Sequence, residues 1–282
     1  MKIVDTHQHL WDLDLLSYSW CKGHPVFGRS FRIEDYRKAV EGVDVEQSVH
    51  VEADVDEPDI LAETRMILAL AEKRDNSIEG VVAGARPEKS GFRKYLDQIA
   101  GHPKLKGVRR ILHVVPDEVG QTALFAENVA SLGAYGLSFD LCVLARQLPI
   151  GIRLLEKCPN TRFILDHCGF PLIRERQLDP WREYIRTLAG FPNLLACKVS
   201  GVLAQVDVAH WKPDDLRPYV DHVIECFGWD RVIFGSDWPV STLATTFKGW
   251  VDAVLLLTQN HGESERQKLF HDNAVKFYGL KT

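Results

Sequence analysis

The stretch that distinguishes between the candidate folds is KIVDTHQH, residues 2–9. It begins with a short run that contains two β-branched residues, 2–5, and ends with two histidines at alternate positions. An open, doubly wound sheet usually carries a glycine-rich phosphate turn after its first strand. Because histidines stand in that place, the opening of the chain favours a closed parallel barrel, in which polar side chains follow the strands.

Seven further apolar runs follow, and helical patterns lie between them. Short strands that alternate with amphipathic helices predict parallel βαβ units. Eight such units close into a barrel, so the sequence predicts a (β/α)8 TIM barrel. The predicted strands are 2–5, 47–52, 80–83, 108–112, 137–142, 162–166, 195–199 and 231–235, and the predicted helices include 60–73, 91–99, 122–132, 148–157, 180–188 and 215–227.

Length and composition limit the domain organisation and the partners. The chain has 282 residues, close to the ~250 that one barrel typically needs. No Gly/Ser-rich, charged or low-complexity stretch divides it, so we expect a single domain spanning 1–282. The formal net charge is −5 and the charges are interspersed. Without a basic footprint, we expect no nucleic-acid partner.

The compartment is predicted from apolar runs and cysteines. No apolar stretch approaches the ~20 residues of a membrane span, and the first residues lack a signal-peptide pattern. Six cysteines occur without C-x-x-C spacing, which is typical of buried thiols in a reducing compartment. We therefore expect a cytoplasmic protein with no membrane partner, and the sequence leaves a homo-oligomer open.

His7 and His9 are the first candidate metal ligands. Alternate side chains of an extended segment point to the same side, so both imidazoles can bind one divalent ion. Catalytic zinc sites commonly use three protein ligands and a water. The alternative is a pair of structural histidines, hydrogen-bonded in the core or in a loop.

Asp237 and His167 follow two other predicted strands. Asp237 lies in GSDWP, 235–239, where a buried strand delivers the carboxylate to the barrel mouth and proline ends the pairing. It can bind a metal, accept a proton from water, or cap a loop. His167 lies in DHCG, 166–169, and is a candidate third ligand, a donor to a substrate carbonyl, or a core histidine.

Further polar residues interrupt the predicted strands. Arg109 and Arg110 are adjacent, so only one can face the barrel interior, where it can bind a carboxylate or a hydroxyl-rich substrate. Lys198 lies in a buried run, which predicts a site role or a buried ion pair. Glu52 and Asp140 are equally compatible with a site role and a structural one.

Three tryptophans are candidates for the wall of a sugar pocket or for the core: Trp11, Trp20 and Trp238. The predicted substrate contacts are two of these tryptophans, Trp11 and Trp238, together with Arg109, Lys198, Asp140 and Glu52.

Together these motifs resemble the amidohydrolase superfamily, in particular its branch of metal-dependent TIM-barrel hydrolases that contains sugar lactonases and pyrone-dicarboxylate lactonase. The resemblance covers nearly the whole chain, and its first and last motifs are the most specific. In order, it is carried by VDTHQHLWD (4–12), AET (62–64), LKGVRR (105–110), FDL (139–141), DHCG (166–169), CKVSG (197–201), FGSDWPV (234–240) and NA (273–274).

The resemblance implies hydrolysis of an aldonolactone, such as fucono- or rhamnonolactone, in sugar catabolism. It implies Asp237 and His167 as catalytic residues, and a metal site or its vestige formed by His7, His9 and Asp237. We expect one divalent metal, Zn²⁺, with metal-free catalysis as the alternative. In the metal-free version Asp237 alone activates the water, and the histidines and Arg109 polarise the carbonyl.

Some positions depart from the pattern of relatives. Arginines occupy 109–110, the region where many binuclear relatives carry a carboxylated lysine, so one metal at most is expected. Arg110 stands where relatives often carry histidine. Residues 51–53 read VEA where relatives often have Gln-Ala, and 54–59 are acidic. The alternatives are a pyrone-dicarboxylate-type lactonase, an aminocarboxymuconate-semialdehyde-type decarboxylase, and a degenerate barrel that binds a sugar acid without catalysis.

Overall fold

The computed structural model describes residues 1–74 and 76–281. In these residues eight parallel strands form one sheet in which each strand pairs with the next along the chain. Backbone hydrogen bonds from His9 N–H to the Trp238 carbonyl (2.8 Å) and from Asp237 N–H to the His7 carbonyl (2.7 Å) join the ends of the first and last strands. The strands are β1 (Ile3–Gln8), β2 (Val45–Val51), β3 (Ile78–Gly84), β4 (Leu105–Ile111), β5 (Ser138–Cys142), β6 (Arg162–Leu165), β7 (Leu194–Val199) and β8 (Val232–Phe234).

Helices surround the barrel, so the predicted (β/α)8 fold is confirmed. The predicted strand bounds differ from these by at most three residues. The predicted helix 91–99 is shorter in the structure. The helices are α1 (Ile33–Ala39), α2 (Ile60–Ala71), α3 (Phe92–Leu96), α4 (Ala123–Ser131), α5 (Leu148–Lys157), α6 (Trp181–Ala189), α7 (Pro213–Phe227), α8 (Phe247–Leu257), α9 (Glu263–Gln267) and α10 (Asn273–Tyr278).

Local sequence explains where the helices begin. The Thr122 hydroxyl accepts a hydrogen bond from Phe125 N–H (3.2 Å) at the start of α4. At the start of α7, the Asp215 carboxylate accepts one from Lys212 N–H (2.8 Å), and Pro213 occupies the first turn. These contacts satisfy backbone donors that have no partner within the helix.

The interior of the barrel is filled by small β-branched and aliphatic side chains. Strands buried on both faces are rich in such residues. The C-terminal segment belongs to the same cluster, because Ala274, Tyr278 and Leu280 pack against it. The strand residues of the cluster are Val4, Val49, Val51, Val82, Ile164, Ala196 and Ile233.

Strained backbone concentrates where strands β2, β6 and β8 give way to loops. Asp54, His167 and Asp237 have φ angles of +52°, +55° and +55°. Residues other than glycine rarely adopt such angles, and they cluster at functional sites. The strain therefore points to the C-terminal ends of the strands, where barrels of this fold carry their active sites.

All six cysteines are free thiols. Across 1–74 and 76–281, no helix combines the length and the apolar character that a membrane crossing requires.

Candidate active site

Three imidazoles surround one carboxylate oxygen at the mouth of the barrel. Asp237 Oδ1 lies 3.4 Å from His9 Nε2, 3.8 Å from His7 Nε2 and 3.9 Å from His167 Nε2. All four residues are buried. We call His7, His9, His167 and Asp237 the mouth cluster. Residues that are some 230 positions apart in the sequence thus meet at one point.

The seam between β1 and β8 positions this cluster. The buried Asp5 carboxylate accepts hydrogen bonds from Ser236 N–H (2.7 Å), the Ser236 hydroxyl (2.6 Å) and the Tyr36 hydroxyl (2.8 Å). Asp237 N–H then donates to the His7 carbonyl. The turn that carries Asp237 is therefore fixed against the strand that carries His7.

The hydrogen bonds of His9 determine its tautomer. Nδ1 lies 2.8 Å from the Val51 carbonyl oxygen. A carbonyl only accepts, so Nδ1 carries the proton and donates it. Nε2 then faces the Asp237 oxygen. A lone pair and a carboxylate oxygen repel each other, so the gap between them suits a metal ion.

His7 is neutral because of its surroundings. Burial is the main effect that holds the pKa of His7 well below its ordinary value, and the positive charge of Lys198 adds to it. The Lys198 ammonium lies 3.2 Å from Nδ1, and Arg109 Nη1 lies 3.2 Å from Nε2. Asp166 Oδ1 is 3.5 Å from Nδ1. A neutral imidazole has one lone pair, so it accepts from one of these two cations only. With a proton on Nδ1 directed at Asp166, Nε2 accepts from Arg109 or binds a metal, as the histidines of carboxylate–histidine pairs do in metal sites.

His167 sits on a tight turn and contacts Ser200. Its Nδ1 is 2.9 Å from the Ser200 hydroxyl oxygen. Burial lowers the pKa of His167. A neutral imidazole there presents Nε2 to the mouth cluster.

Lys198 lies at the centre of a buried ion network below the mouth. Its ammonium is 2.6 Å from Asp140 Oδ2 and 3.0 Å from Asp166 Oδ1. The Tyr278 hydroxyl donates to the same Asp140 oxygen (3.0 Å). Burial alone would raise the pKa of Asp166, but Lys198 and His7 hold it well below its ordinary value. Lys198 thus forms the buried ion pair, one of the two roles that its position in a buried run predicts, and it does not line the cavity described below.

Arg109 completes the network, which consists of Glu52, Arg109, Asp140, Asp166 and Lys198. Arg109 donates from Nε to Glu52 Oε1 (2.8 Å) and from Nη2 to the Glu52 carbonyl (2.7 Å). Arg110 points the other way and pairs with Glu88 (2.9 Å). The interior arginine is therefore Arg109, and Glu52 orients it.

The residues present fit a divalent metal. The ligand atoms of His7, His167 and Asp237 lie within 4.8 Å of one another, and two neutral imidazoles with one carboxylate are typical zinc ligands. The third residue of this ligand group is His167, whereas the sequence predicts His9. His9 also faces the Asp237 oxygen. The mouth cluster and the ion network below it contain more buried carboxylates than buried cations, and a divalent ion would offset this surplus of negative charge. The carboxylates are Glu52, Asp140, Asp166 and Asp237, and the cations are Arg109 and Lys198.

A cavity of about 260 Å³ lies beside the mouth cluster, and His9 belongs to both. Its walls are mainly apolar, with a few polar groups near the floor, as is typical of small-molecule sites. The lining residues are His9, Trp11, Trp20, Ala53, Asp54, Arg109, Ile111, His113, Val114 and Val240.

The tryptophans separate into two groups. Trp11 and Trp20 line the cavity, and their rings pack edge to face with centroids 5.2 Å apart. Trp238 is 2% exposed and packs against Tyr36 and Phe31, with ring centroids 5.3 and 5.5 Å away. The structure thus places Trp238 in the core beside the seam and outside the cavity lining.

Some site residues were missed by the sequence interpretation. Asp166 directly precedes His167, and His113 follows the fourth predicted strand, so the rule that selected the other residues could have found both. Burial lowers the pKa of His113 to about 4, so its cavity-lining imidazole is neutral. Tyr278 comes from α10, and no strand-end signal could have predicted it.

Comparison with known proteins adds to this geometry. A family model described as amidohydrolase matches residues 4–280. An L-fucono-1,5-lactonase of Burkholderia multivorans is 30% identical over 98% of this chain and 96% of that protein. An L-fucono-1,5-lactonase of Burkholderia ambifaria is 29% identical over 98% and 95% of the two chains.

Solved structures show the same architecture. An amidohydrolase from Burkholderia multivorans, solved with bound zinc, superimposes with a TM-score of 0.89 at 28% identity over the whole of both chains. A probable 2-pyrone-4,6-dicarboxylic acid hydrolase from Acinetobacter baumannii has a TM-score of 0.79 at 15% identity over 99% of this chain and 100% of its own. The second likeness shows a shared fold.

Replacing Gly201 by alanine is expected to displace His167. Gly201 has a φ of +60°, and a Cβ there would lie 2.1 Å from His167 Nδ1. We expect Gly201→Ala to lower the free energy of unfolding by ~1–3 kcal/mol and to move the imidazole in a crystal structure. Gly91→Ala is the control, because its Cβ would meet nothing within 4 Å. An unmoved ring at unchanged stability would contradict the expectation.

Replacing Tyr278 by phenylalanine is expected to weaken the ion network. The change removes a donor from the buried Asp140 carboxylate, and we expect a loss of ~1–3 kcal/mol in urea unfolding. Tyr135→Phe is the matched control, because Tyr135 donates to Asp97 at the exposed surface and should change stability by less than ~0.5 kcal/mol. Equal losses of stability in both variants would show that the buried contact to Asp140 stabilises the protein no more than the exposed contact to Asp97.

Proposed function

Because this chain belongs to the amidohydrolase family, we propose that it is a hydrolase that opens the ester ring of a sugar lactone, an aldonolactone, with water activated at the mouth cluster. The observation that carries this proposal is the Asp237 carboxylate, held among three imidazoles, one of which, His9, lines a small cavity. The two Burkholderia relatives named L-fucono-1,5-lactonase support the substrate class.

Asp237 is the proton acceptor of the proposed reaction. Its carboxylate oxygen lies 3.4 Å from Nε2 of His9, and His9 lines the cavity in which the lactone would bind. As the water oxygen bonds to the carbonyl carbon, its proton passes to Asp237. The bond from the carbonyl carbon to the ring oxygen then breaks, and Asp237 returns the proton to that oxygen. The products are a carboxylic acid and a free hydroxyl group.

Arg109 stabilises the negative charge that develops on the carbonyl oxygen, and His167 does so as well in the metal-free version, in which its Nε2 is not a metal ligand. His167 presents a ring nitrogen from one side of Asp237, and Ser200 holds the opposite nitrogen. Arg109 approaches from the β4 side, and Glu52 fixes its orientation through two hydrogen bonds. Donors that are held in place before the reaction are effective because they need no reorganisation during it.

We propose one divalent ion, Zn²⁺, as the cofactor. His7, His167 and Asp237 would hold it, with His9 facing the same carboxylate oxygen. When bound, such an ion lowers the pKa of water toward ~7, so that hydroxide is available near neutral pH. The neutral state of His7 and His167 suits this role, because a protonated imidazole has no lone pair for a metal.

A metal-free mechanism is the second candidate, and one contact favours it. Arg109 Nη1 lies 3.2 Å from His7 Nε2, so a fixed positive charge already faces the nitrogen that a metal would use. In that case Asp237 activates the water without assistance, and Arg109 with the histidines polarises the carbonyl.

Substitution of Asp237 by asparagine tests its role as the base. Asparagine keeps the shape and tolerates the positive φ, but it cannot accept the proton. We expect kcat for an aldonolactone to fall ~100- to 10,000-fold, with little change in thermal stability. Lactone opening releases acid, so a pH indicator follows the reaction. Asp44→Asn is the control for the loss of one charge. Near-normal turnover by Asp237→Asn would remove Asp237 from the mechanism.

Metal removal separates the two mechanisms. We expect about one zinc ion per chain in the purified protein, and loss of lactonase activity after chelation that returns when zinc is added back. The measurement is elemental analysis and activity on the same sample. Full activity in a verified metal-free sample would select the mechanism through Arg109.

A further inference from the structure

Asp54 lies in the cavity wall, in the loop between β2 and α2. It lines the same cavity as His9 and Arg109. We propose that the Asp54 carboxylate determines specificity by accepting hydrogen bonds from substrate hydroxyls, so that the site selects uncharged polyhydroxy lactones over unsubstituted and anionic ones. This inference rests on the proposed lactonase function and deepens it.

The backbone of Asp54 is the first observation. Its φ of +52° lies in the left-handed region, which glycine adopts without strain and asparagine with little. The Asp54 N–H donates to Glu52 Oε2 (2.7 Å), and a glycine would make the same bond. The turn therefore does not require the carboxylate, which is available for contacts with a ligand.

The carboxylate itself lacks hydrogen-bond donors. Within 1–74 and 76–281 no group donates a hydrogen bond to it, and the cation that approaches it is Arg86, with Nη2 at 3.9 Å from Oδ1. Its side chain is 27% exposed. Burial, followed by the negative charge of Glu52, raises the pKa of Asp54. An under-solvated anion of this kind gains from donors that a ligand brings.

The remaining walls direct hydroxyl groups toward Asp54. Trp20, Ile111, Val114 and Val240 present apolar surface, against which ring carbons can pack. Hydroxyl groups facing these walls would lose water without replacement, which is unfavourable. A polyhydroxy ring is therefore best placed with its hydroxyls toward the polar part of the lining, in which Asp54 is the anionic acceptor beside His9, Arg109 and His113.

The charges around the cavity disfavour anionic substrates. Asp54 lines the wall, so a negative charge is part of the cavity surface. Arg109, the cation of the lining, is paired with Glu52, which offsets part of its charge. A substrate with its own carboxylate would be repelled by Asp54, which raises the free energy of its binding.

Two variants of Asp54 test the proposal with three substrates. Asp54→Gly removes the carboxylate and suits the positive φ, and Asp54→Asn removes only the charge. The substrates are a 1,5-aldonolactone, δ-valerolactone (a six-membered lactone without hydroxyls) and 2-pyrone-4,6-dicarboxylate. Glu57→Gln is the control, because Glu57 lies in the same loop, is exposed and pairs with Lys89 at the surface.

The expected result is a change in selectivity. In Asp54→Gly, kcat/KM for the aldonolactone should fall about 10- to 100-fold, mainly through KM, because hydrogen bonds to a charged group are lost. The value for δ-valerolactone should change less than about threefold. Asp54→Asn should show a smaller loss and a higher relative rate with the dicarboxylate. Glu57→Gln should match the wild type.

The controls distinguish failure of this inference from failure of the proposed function. An equal fall for the aldonolactone and δ-valerolactone would overturn the role of Asp54 and leave the lactonase function in place, because the carboxylate would then act on the loop or on Glu52. A wild-type protein that opens neither lactone would overturn both. Circular dichroism of each variant checks that the barrel is intact.

Discussion

The structure depends on the closure of the barrel through the Asp5 carboxylate. Asp5 in β1 accepts two hydrogen bonds from Ser236 after β8, and a third from Tyr36 of α1. Leaving a buried carboxylate unpaired is highly unfavourable, so the first strand, the last turn and the helical layer are fixed together. His7 and Asp237 lie directly beyond these contacts. The same interaction that completes the fold therefore brings the candidate base beside its histidines.

Much of the fold and part of the site could be predicted from the sequence. Alternating apolar runs and helical patterns predicted the eight strands. The polar residues at the ends of these strands predicted the members of the mouth cluster. Which of the buried polar side chains contact each other could not be predicted in this way. Whether Lys198 faces a substrate or a carboxylate depends on how strands β5, β6 and β7 align, and Tyr278 reaches Asp140 from a helix far along the chain. Trp238 follows Asp237 directly, yet it turns into the core.

Burial is the main reason why His7 and His167 are neutral, and the buried ion network adds to it at His7. Lys198 and Arg109 lie on either side of His7, 3.2 Å from its two ring nitrogens, and the charge of Lys198 opposes its protonation. Their own charges are offset by carboxylates below the mouth. The barrel interior thus supplies a fixed electrostatic environment, and a site of this kind can hold a metal ion or polarise a carbonyl without rearranging.

The contact between Tyr278 and Asp140 has a consequence for biosynthesis. Asp140 lies near the middle of the chain, and its hydroxyl partner is added 138 residues later. During translation the ribosome therefore exposes Asp140, Lys198 and their neighbours well before Tyr278 emerges. The Asp140 carboxylate can therefore gain this hydroxyl donor only when α10 packs against the barrel, at the end of synthesis of the described chain.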